Sequence, residues 1–578
     1  MAYPDASSWR RIAAIVAISG VLVAACGPSV ASPALSGGTM VPSAATAGPS
    51  AAQAVACGSP VSPSPTTTGA APWWRDRVFY EVFVRSFADS NGDGIGDLRG
   101  LTQRLDYLND GDPATTSDLG VTALWLMPVA ASPSYHGYDV TDYKAIERDY
   151  GTAADFKALV AAAHKRGIAI VVDLVLNHTS DQNPWFQDSR KPGSAHADWY
   201  VWSNTDPGIS GPGGAEVWHK DGDRWYYGYF SKGMPDLNLR DPAVTAALDD
   251  VSKFWLDDLG VDGFRLDAAK YLIEDGATLQ NTPETTAWLE GFRSRVKAVK
   301  PSALLVGEVW DSTAMSSSYV RAGALDMTFG FDLAAATLGA VRLGDANSLT
   351  QVQAEMTADY PSGGYGAFLT NHDQDRTMDV LGDDPASASL AATLLLTGSG
   401  VPFIYYGEEL GMHGRKPDEQ IRTPLAWDTT TPAHGFTTGT PWEDFAPGVD
   451  VANVASQTGD PTSLLARYRT LIGLRAANPA LQDGRVIPMD KATPGVYAYL
   501  RDDGAETVAV VANMTDSAID DPSLSVQAGP LCGQPTVDVV LGDAAVTAPS
   551  VTAAGGFEGY IPVHQLGPKQ AVVFRISP

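Results

Sequence analysis

Cysteine is scarce: three in 578 residues, at positions 26, 57 and 532. None belongs to a Cys-x-x-Cys pair, so a thiolate metal cluster of that type is excluded. Basic charge is also short. Lys and Arg total 39 against 67 Asp and Glu, giving a formal charge of −28. With no strongly basic stretch beyond the start, nucleic acid is excluded as a partner. Such acidity suits solubility outside the cell and is compatible with a neutral polymer as substrate. No internal repeat is present, and nothing calls for an oligomer, so a monomer is expected.

The start of the chain is the one place with a sustained apolar run. Arg10 and Arg11 precede Ile12–Ala25, which is short for a membrane span and fits the core of an export signal. It ends at Val23-Ala24-Ala25-Cys26, which resembles the bacterial lipobox. That resemblance implies removal of residues 1–25 and lipidation of Cys26, with the protein held by a membrane anchor at the extracellular face of the cell envelope. The similar "AVAC" ending at Cys57 has no apolar run before it. Residues 26–72 are rich in Ala, Ser, Thr, Pro and Gly and read as a flexible tether. Cys57 and Cys532 remain, either as a disulfide in an oxidising compartment or as free thiols.

From Trp73 the texture changes. Eight apolar, β-branched runs, at 78–84, 121–127, 168–176, 261–267, 303–309, 324–331, 365–370 and 401–407, read as strands. Amphipathic helical patterns such as 152–167, ending in Gly167, lie between most of them. This alternation predicts a parallel sheet covered on both faces, closed as a (β/α)8 TIM barrel over 73–178 and 241–479. A doubly wound sheet is the alternative, but no Gly-rich phosphate loop follows the first strand. Residues 179–240, after the third strand, are too long for a structureless loop and predict a small inserted domain. Residues 480–578 alternate apolar and polar in short runs, as in an antiparallel β-sandwich.

The fourth strand, "VDGFRLDAAKYL", carries charges where an apolar run is expected. Burying unpaired charge is costly, so Arg265, Asp267 and Lys270 must face something. Barrel active sites sit at the C-terminal strand ends. Read in order, those ends supply Asp173, Asn177 and His178, then Arg265 and Asp267, then Glu308, then Asn371, His372 and Asp373. A single acid at a strand end is usually a cap or an ion-pair partner. Acids on four strands of one mouth are not explained that way. Two carboxylates about 5–5.5 Å apart can split a glycosidic bond with retention, one as nucleophile and one as acid and base. A neighbouring carboxylate raises the pKa of the acid, and an adjacent Arg keeps the nucleophile ionised.

"DLVLNHTS", "GFRLDAAKY", "GEVW" and "FLTNHD" occur in this order, with "MPDLN" in the insertion, and together they resemble the motifs of the α-amylase family, glycoside hydrolase family 13. The resemblance implies Asp267 as nucleophile, Glu308 as acid/base and Asp373 as the third carboxylate. It places Arg265, His178 and His372 in the same sugar subsite, with Tyr138 stacking on the ring, His136 beside it, and Lys270 reaching the leaving-group side. Asp173 and Asn177 are expected to be architectural or near a metal. The substrate class it implies is α-glucan, such as starch and malto-oligosaccharide.

"DSNGDGIGD" sets Asp89, Asn91, Asp93 and Asp97 at alternate positions, with a main-chain carbonyl from Ile95. This is the first part of a Ca2+ loop, although Gly100 stands at position twelve where an EF-hand has Glu. Oligo-1,6-glucosidase-like members carry a similar loop that holds Ca2+, so Ca2+ is the implied cofactor. A second calcium site would use Asn177, acids of the insertion and the carbonyl of Tyr271.

"MPDLN" (234–238) resembles the subgroup intermediate between oligo-1,6-glucosidases and neopullulanases. Ala268 and Lys270 after the nucleophile, and Tyr135 where exo-acting relatives carry Asp, point to internal α-1,4 cleavage in an open cleft. "IRTPLAWD" (421–428) resembles oligo-1,6-glucosidases and trehalulose-forming enzymes instead. It leaves cyclomaltodextrinase, neopullulanase, glucanotransferase and oligo-1,6-glucosidase activity as alternatives. Trp199, Trp202, Trp218, Trp225 and Tyr227 of the insertion are candidates for stacking on sugar or for a small domain core.

Overall fold

The computed structural model describes residues 71–491 and 493–578. The expected export signal, the expected lipidation site at Cys26, Cys57 and all but the last two residues of the expected tether lie outside the described residues. No described helix is long and apolar enough to cross a membrane.

Eight strands form a closed parallel barrel, and each falls within one of the runs predicted from sequence. They are β1 (Phe79–Val82), β2 (Ala123–Leu126), β3 (Ala169–Leu174), β4 (Gly263–Leu266), β5 (Leu304–Gly307), β6 (Met327–Phe329), β7 (Tyr365–Ala367) and β8 (Val401–Tyr405). Neighbours in the ring are neighbours in sequence, and β8 closes on β1. Side chains alternate along each strand. Phe79, Trp125, Val171, Val306, Phe329 and Phe403 fill the barrel interior. Tyr80, Leu124, Val172, Phe264 and Leu305 pack outward under the helices. Glu81, Asp173, Arg265 and Asp267 share the inward parity of that first set. The charges that interrupt the apolar runs therefore point to the axis at its C-terminal end.

The helix Ala153–Lys165 shows how local sequence fixes these walls. Thr152 caps its start and Asp155 returns the hydrogen bond, forming a capping box. Gly167 follows the helix with φ 75°, a conformation open to glycine at little cost.

After β3 the chain leaves the barrel. Trp202–Ser203, Trp218–Asp221 and Arg224–Tyr227 form a three-stranded sheet, with Arg224–Tyr227 central. Phe186 stacks on Trp202 at 5.7 Å and meets Tyr200 and Tyr226 edge-on. Trp199 packs against Trp185, and Trp218 against Tyr227. Most of the aromatics considered for sugar stacking thus build the core of the insertion.

The C-terminal segment forms a five-stranded antiparallel sheet around Val496–Asp502, Thr507–Asn513 and Ala571–Ser577. A second sheet is made of Asp490–Lys491, Leu524–Val526 and Phe557–Tyr560. A buried guanidinium of the sheet, Arg501, joins it to the barrel, donating to the carbonyl of Thr397 and also to that of Gly484. Arg475, on the barrel's own helix Leu464–Ala477, donates to the carbonyls of Leu396, Gly398 and Gly400. All of these carbonyls except that of Gly484 lie at or just beyond the C-terminus of the helix Pro385–Thr397, where the helix dipole favours cations.

Just after β8, Glu408 and Glu409 are buried with hydroxyl partners. Tyr468 and Thr377 donate to Glu408 at 2.7 and 3.1 Å, and Tyr80 and Tyr107 donate to Glu409 at 2.8 and 2.6 Å. Burial pushes the Glu408 carboxyl up to about 8. Its ordinary value is 4.5, so the folded chain holds a proton that the unfolded chain releases. That contribution to stability is full below pH 4.5 and is lost as pH rises through about 8. The melting temperature should therefore fall across this window, and Glu408→Gln should flatten the decline. Calorimetry at a series of pH values checks this, and an unchanged slope in the variant would refute it.

Candidate active site

The register of β3 and β4 sets Asp173 beside Arg265. Arg265 is 1% exposed, and three carboxylates surround it. Nη1 donates to Asp173 Oδ1 at 2.9 Å and to Asp267 Oδ1 at 2.6 Å, while Nη2 donates to Glu308 Oε2 at 2.7 Å. The guanidinium lies 5.2 Å from the Trp125 ring and 5.7 Å from that of Tyr138. The two nitrogens of one fork thus hold Asp267 and Glu308 within a few ångström of each other.

Ala268, directly after Asp267, has φ 51°, a left-handed conformation that costs a non-glycine residue about 1–3 kcal/mol. The bend brings its N–H to Glu308 Oε2 at 3.0 Å. Glu308 Oε2 therefore accepts two donors, which leaves Oε1 as the oxygen able to carry a proton. Burial raises the Glu308 pKa, Arg265 opposes this, and the charges of Asp267 and Asp373 raise it further. Burial also raises Asp267, with Arg265 in contact opposing.

A second charge system faces the first. His372 Nδ1 contacts Glu81 Oε1 at 2.5 Å, and its Nε2 lies 2.7 Å from the Tyr138 hydroxyl and 3.2 Å from Asp373 Oδ2. Burial works against the imidazolium, but Asp373 and Glu81 outweigh it and lift His372 to about 9. Arg422 donates to Asp373 Oδ1 at 2.9 Å and to the His372 carbonyl at 2.9 Å. Burial alone would raise Asp373, yet His372 and Arg422 hold it far below the usual carboxylate range.

Tyr138 joins the two systems. Its hydroxyl donates to Asp173 Oδ2 at 3.1 Å, and its ring stacks 5.6 Å from His372. His136 stacks behind it at 6.1 Å and accepts the Tyr138 N–H. His178 is buried with Nε2 unpartnered, and burial lowers it to about 4, so it is a neutral imidazole at neutral pH. Lys270 donates to the Trp310 carbonyl at 2.6 Å and Asp311 at 3.3 Å, behind Glu308. Phe230 and Trp310 are the exposed aromatics of this region. Phe230 lies 5.2 Å from His178, and Trp310 stacks on Phe331 at 4.6 Å.

The structure thus gathers Asp267, Glu308, Asp373, Arg265, His372 and Tyr138 into one contact network, with His136 stacked on Tyr138. His178 and Lys270 reach it through neighbours. Sequence reasoning missed Glu81, Trp125 and Asp311, and it did not assign Arg422 to the site. Glu81 had a readable signal: an acid inside the apolar run "VFYEVFV".

The proposed metal loop is held by its own backbone. Asp89 accepts N–H bonds from Asn91, Gly92 and Gly94, Asn91 from Asp93, Asp93 from Ile95, and Asp97 from Ser90 and Gly100. Gly94, at φ 92°, admits no side chain, since a Cβ would lie 1.8 Å from the Thr440 carbonyl oxygen. The donors are hard oxygens that suit Ca2+, but the carboxylates are turned to amides. Among the described residues no group of three or more His, Cys, Asp and Glu side chains is gathered for a metal ion. At the second position, Asn177 Oδ1 is buried without a partner beside buried Asp236.

Residues 81–484 match the family model described as the alpha amylase catalytic domain. The chain is 38% identical over 451 residues to alpha-amylase 3 of Dictyoglomus thermophilum, covering 77% of this chain and 85% of that one. It is 36% identical over 511 residues to the trehalose synthase/amylase TreS of Mycolicibacterium smegmatis, covering 77% and 84%. Among solved structures, the alpha-amylase from H. orenii superposes with a TM-score of 0.73 at 37% identity, covering 87% of this chain and 99% of that one. The chain belongs to the α-amylase family of glycoside hydrolases.

Proposed function

We propose that this protein is an exported, lipid-anchored, retaining hydrolase that cuts internal α-1,4 bonds of starch and malto-oligosaccharides. The observation that carries the catalytic part is the single guanidinium of Arg265 gripping Asp267 through Nη1 and Glu308 through Nη2. Asp267 Oδ1 is held, so Oδ2 attacks the anomeric carbon. Glu308 passes the proton on Oε1 to the glycosidic oxygen as that bond breaks. The sugar is then bound covalently to Asp267, and Glu308 is a carboxylate. It takes a proton from water, whose oxygen attacks the anomeric carbon and releases Asp267. Asp373, ionised between His372 and Arg422, accepts hydrogen bonds from sugar hydroxyls, and Tyr138 offers a ring face.

Internal cleavage is supported by Tyr135. It stacks on Trp442 at 5.5 Å where the exo-acting relatives have an acid, and the glucan is taken to continue past this pair. A second reading, transfer to an acceptor sugar or α-1,6 cleavage, is favoured by Arg422. The stretch "IRTPLAWD" that resembles oligo-1,6-glucosidases supplies this direct partner of Asp373. Products from maltoheptaose separate the two readings, because oligosaccharides longer than the substrate require transfer. Ca2+ in the loop of Asp89, Asn91, Asp93, Ile95 and Asp97 is part of this proposal, and the spacing of oxygen donors supports it.

Asp267→Ala and Glu308→Gln should each lower starch hydrolysis by about a thousandfold or more while the chain stays folded. Near-normal turnover in either would refute the assignment. The Asp373 charge helps hold the Glu308 proton, so Asp373→Asn should move the alkaline limb of the residual kcat/KM profile to lower pH. An upward shift would contradict the assigned coupling. Excess chelator should lower the melting temperature and release calcium detectable by elemental analysis. No bound calcium and an unchanged Tm would remove the ion from the account.

A further inference from the structure

The groups around the proposed reaction centre come from two arcs of the barrel. Tyr138, His372, Asp373 and Arg422 follow β2, β7 and β8. Lys270, Glu308, Trp310 and Phe331 follow β4, β5 and β6, on the other side of the ring. Glu308 gives its proton to the oxygen of the departing sugar, so that sugar lies on the second arc. This step rests on the catalytic roles proposed above.

Trp310 stands two residues after Glu308 and is 47% exposed. One face of its ring is used: it stacks on Phe331, with centroids 4.6 Å apart and planes 6° from parallel. Phe331 is buried, edge-on to Phe329 and Phe368 within the cluster that fills the barrel. The indole is therefore backed by the core, and its other face is open.

The backbone beneath this ring is pinned. Lys270 is 6% exposed, and its Nζ donates to the Trp310 carbonyl at 2.6 Å and to Asp311 at 3.3 Å. That uses two of the three N–H bonds of the ammonium. Ser316 Oγ lies 2.8 Å from the Val309 carbonyl oxygen and 3.3 Å from that of Asp311. Asn281 donates from Nδ2 to Asp311 at 2.9 Å and from its main-chain N–H to the Lys270 carbonyl at 2.8 Å. Its own Oδ1 accepts the Tyr319 hydroxyl at 3.0 Å. Asn281 does this at φ 56°, a left-handed conformation that is costly for most non-glycine residues. A buried cation and a strained residue thus converge on the segment that carries one exposed ring.

We propose that Trp310 is the platform for the first glucose of the leaving group, and that Lys270, Asp311 and Asn281 are positioning residues that hold it beside Glu308. A glucose ring presents a face of C–H groups that suits an open indole, while its hydroxyls stay in water at the rim. Contact with the departing sugar contributes to kcat/KM for a glucan and not for a substrate that lacks a leaving sugar. By reversal of the same step an acceptor sugar enters over the same ring, so the platform bears on transfer as well as on cleavage.

The test compares maltoheptaose with α-maltosyl fluoride, whose leaving group is fluoride, on the full-length protein. Trp310→Ala should lower the ratio of kcat/KM for maltoheptaose to that for the fluoride at least about tenfold. Trp310→Phe should recover most of that loss. The alkaline limb of the maltoheptaose profile, set by Glu308, should stay in place. Asn281→Gly keeps the left-handed turn and removes the side chain, and it should lower the ratio in the same direction. An unchanged ratio in Trp310→Ala, or a lower one with a displaced alkaline limb, would overturn the platform. An unchanged ratio in Asn281→Gly would overturn the positioning. Asp267→Ala should abolish turnover of both substrates, and retained turnover there is the separate failure of the catalytic roles.

Discussion

One buried guanidinium organises this molecule's chemistry. Arg265 sits at the barrel axis with carboxylates of Asp173, Asp267 and Glu308 around it. Removing such a charge from water is costly unless every contact is good. The surroundings meet most of that demand: β3 supplies Asp173 by register, and Trp125 and Tyr138 lie against the cation, while Nε is buried without a hydrogen-bond partner among the described residues. Once Arg265 is fixed, the two carboxylates that carry the proposed chemistry are fixed with it.

The other half of the site works by opposition. His372, held as a cation between Glu81 and Asp373, and Arg422 keep Asp373 ionised. Glu308 has only part of one guanidinium and an amide, so burial and the nearby negative charges raise its pKa. Two acids in one cleft are thereby pushed in opposite directions, as a mechanism with a proton donor beside a fixed anion requires. The strained turn at Ala268 serves the same end by aiming an N–H at one oxygen of Glu308 and leaving the other for the proton.

Most of this was legible in sequence, because a parallel barrel permits little polarity inside its strands. All eight strands stood out as apolar runs, and the charges breaking them marked the mouth. Glu81 was visible by the same rule but lay in a run read only for its hydrophobicity. Arg422 was not legible as a partner of Asp373, since 49 residues separate them and only the closed barrel joins them. The insertion's aromatics could not be divided between core and cleft by composition. Periodicity does not tell a ring packed on Phe186 from one left open such as Trp310. The loop at Asp89 has two readings in one pattern: its alternating oxygens have the spacing of a metal loop, and the same oxygens cap the turn's own amides.

The central claim is that Arg265 presents Asp267 as nucleophile and leaves the proton to Glu308. A fluorinated glucosyl fluoride that slows the second step should trap the covalent intermediate, and peptide mass spectrometry of the trapped protein identifies the attached carboxylate. The account predicts the sugar on Asp267. A sugar on Glu308 or Asp373, or a product of inverted configuration, would contradict it.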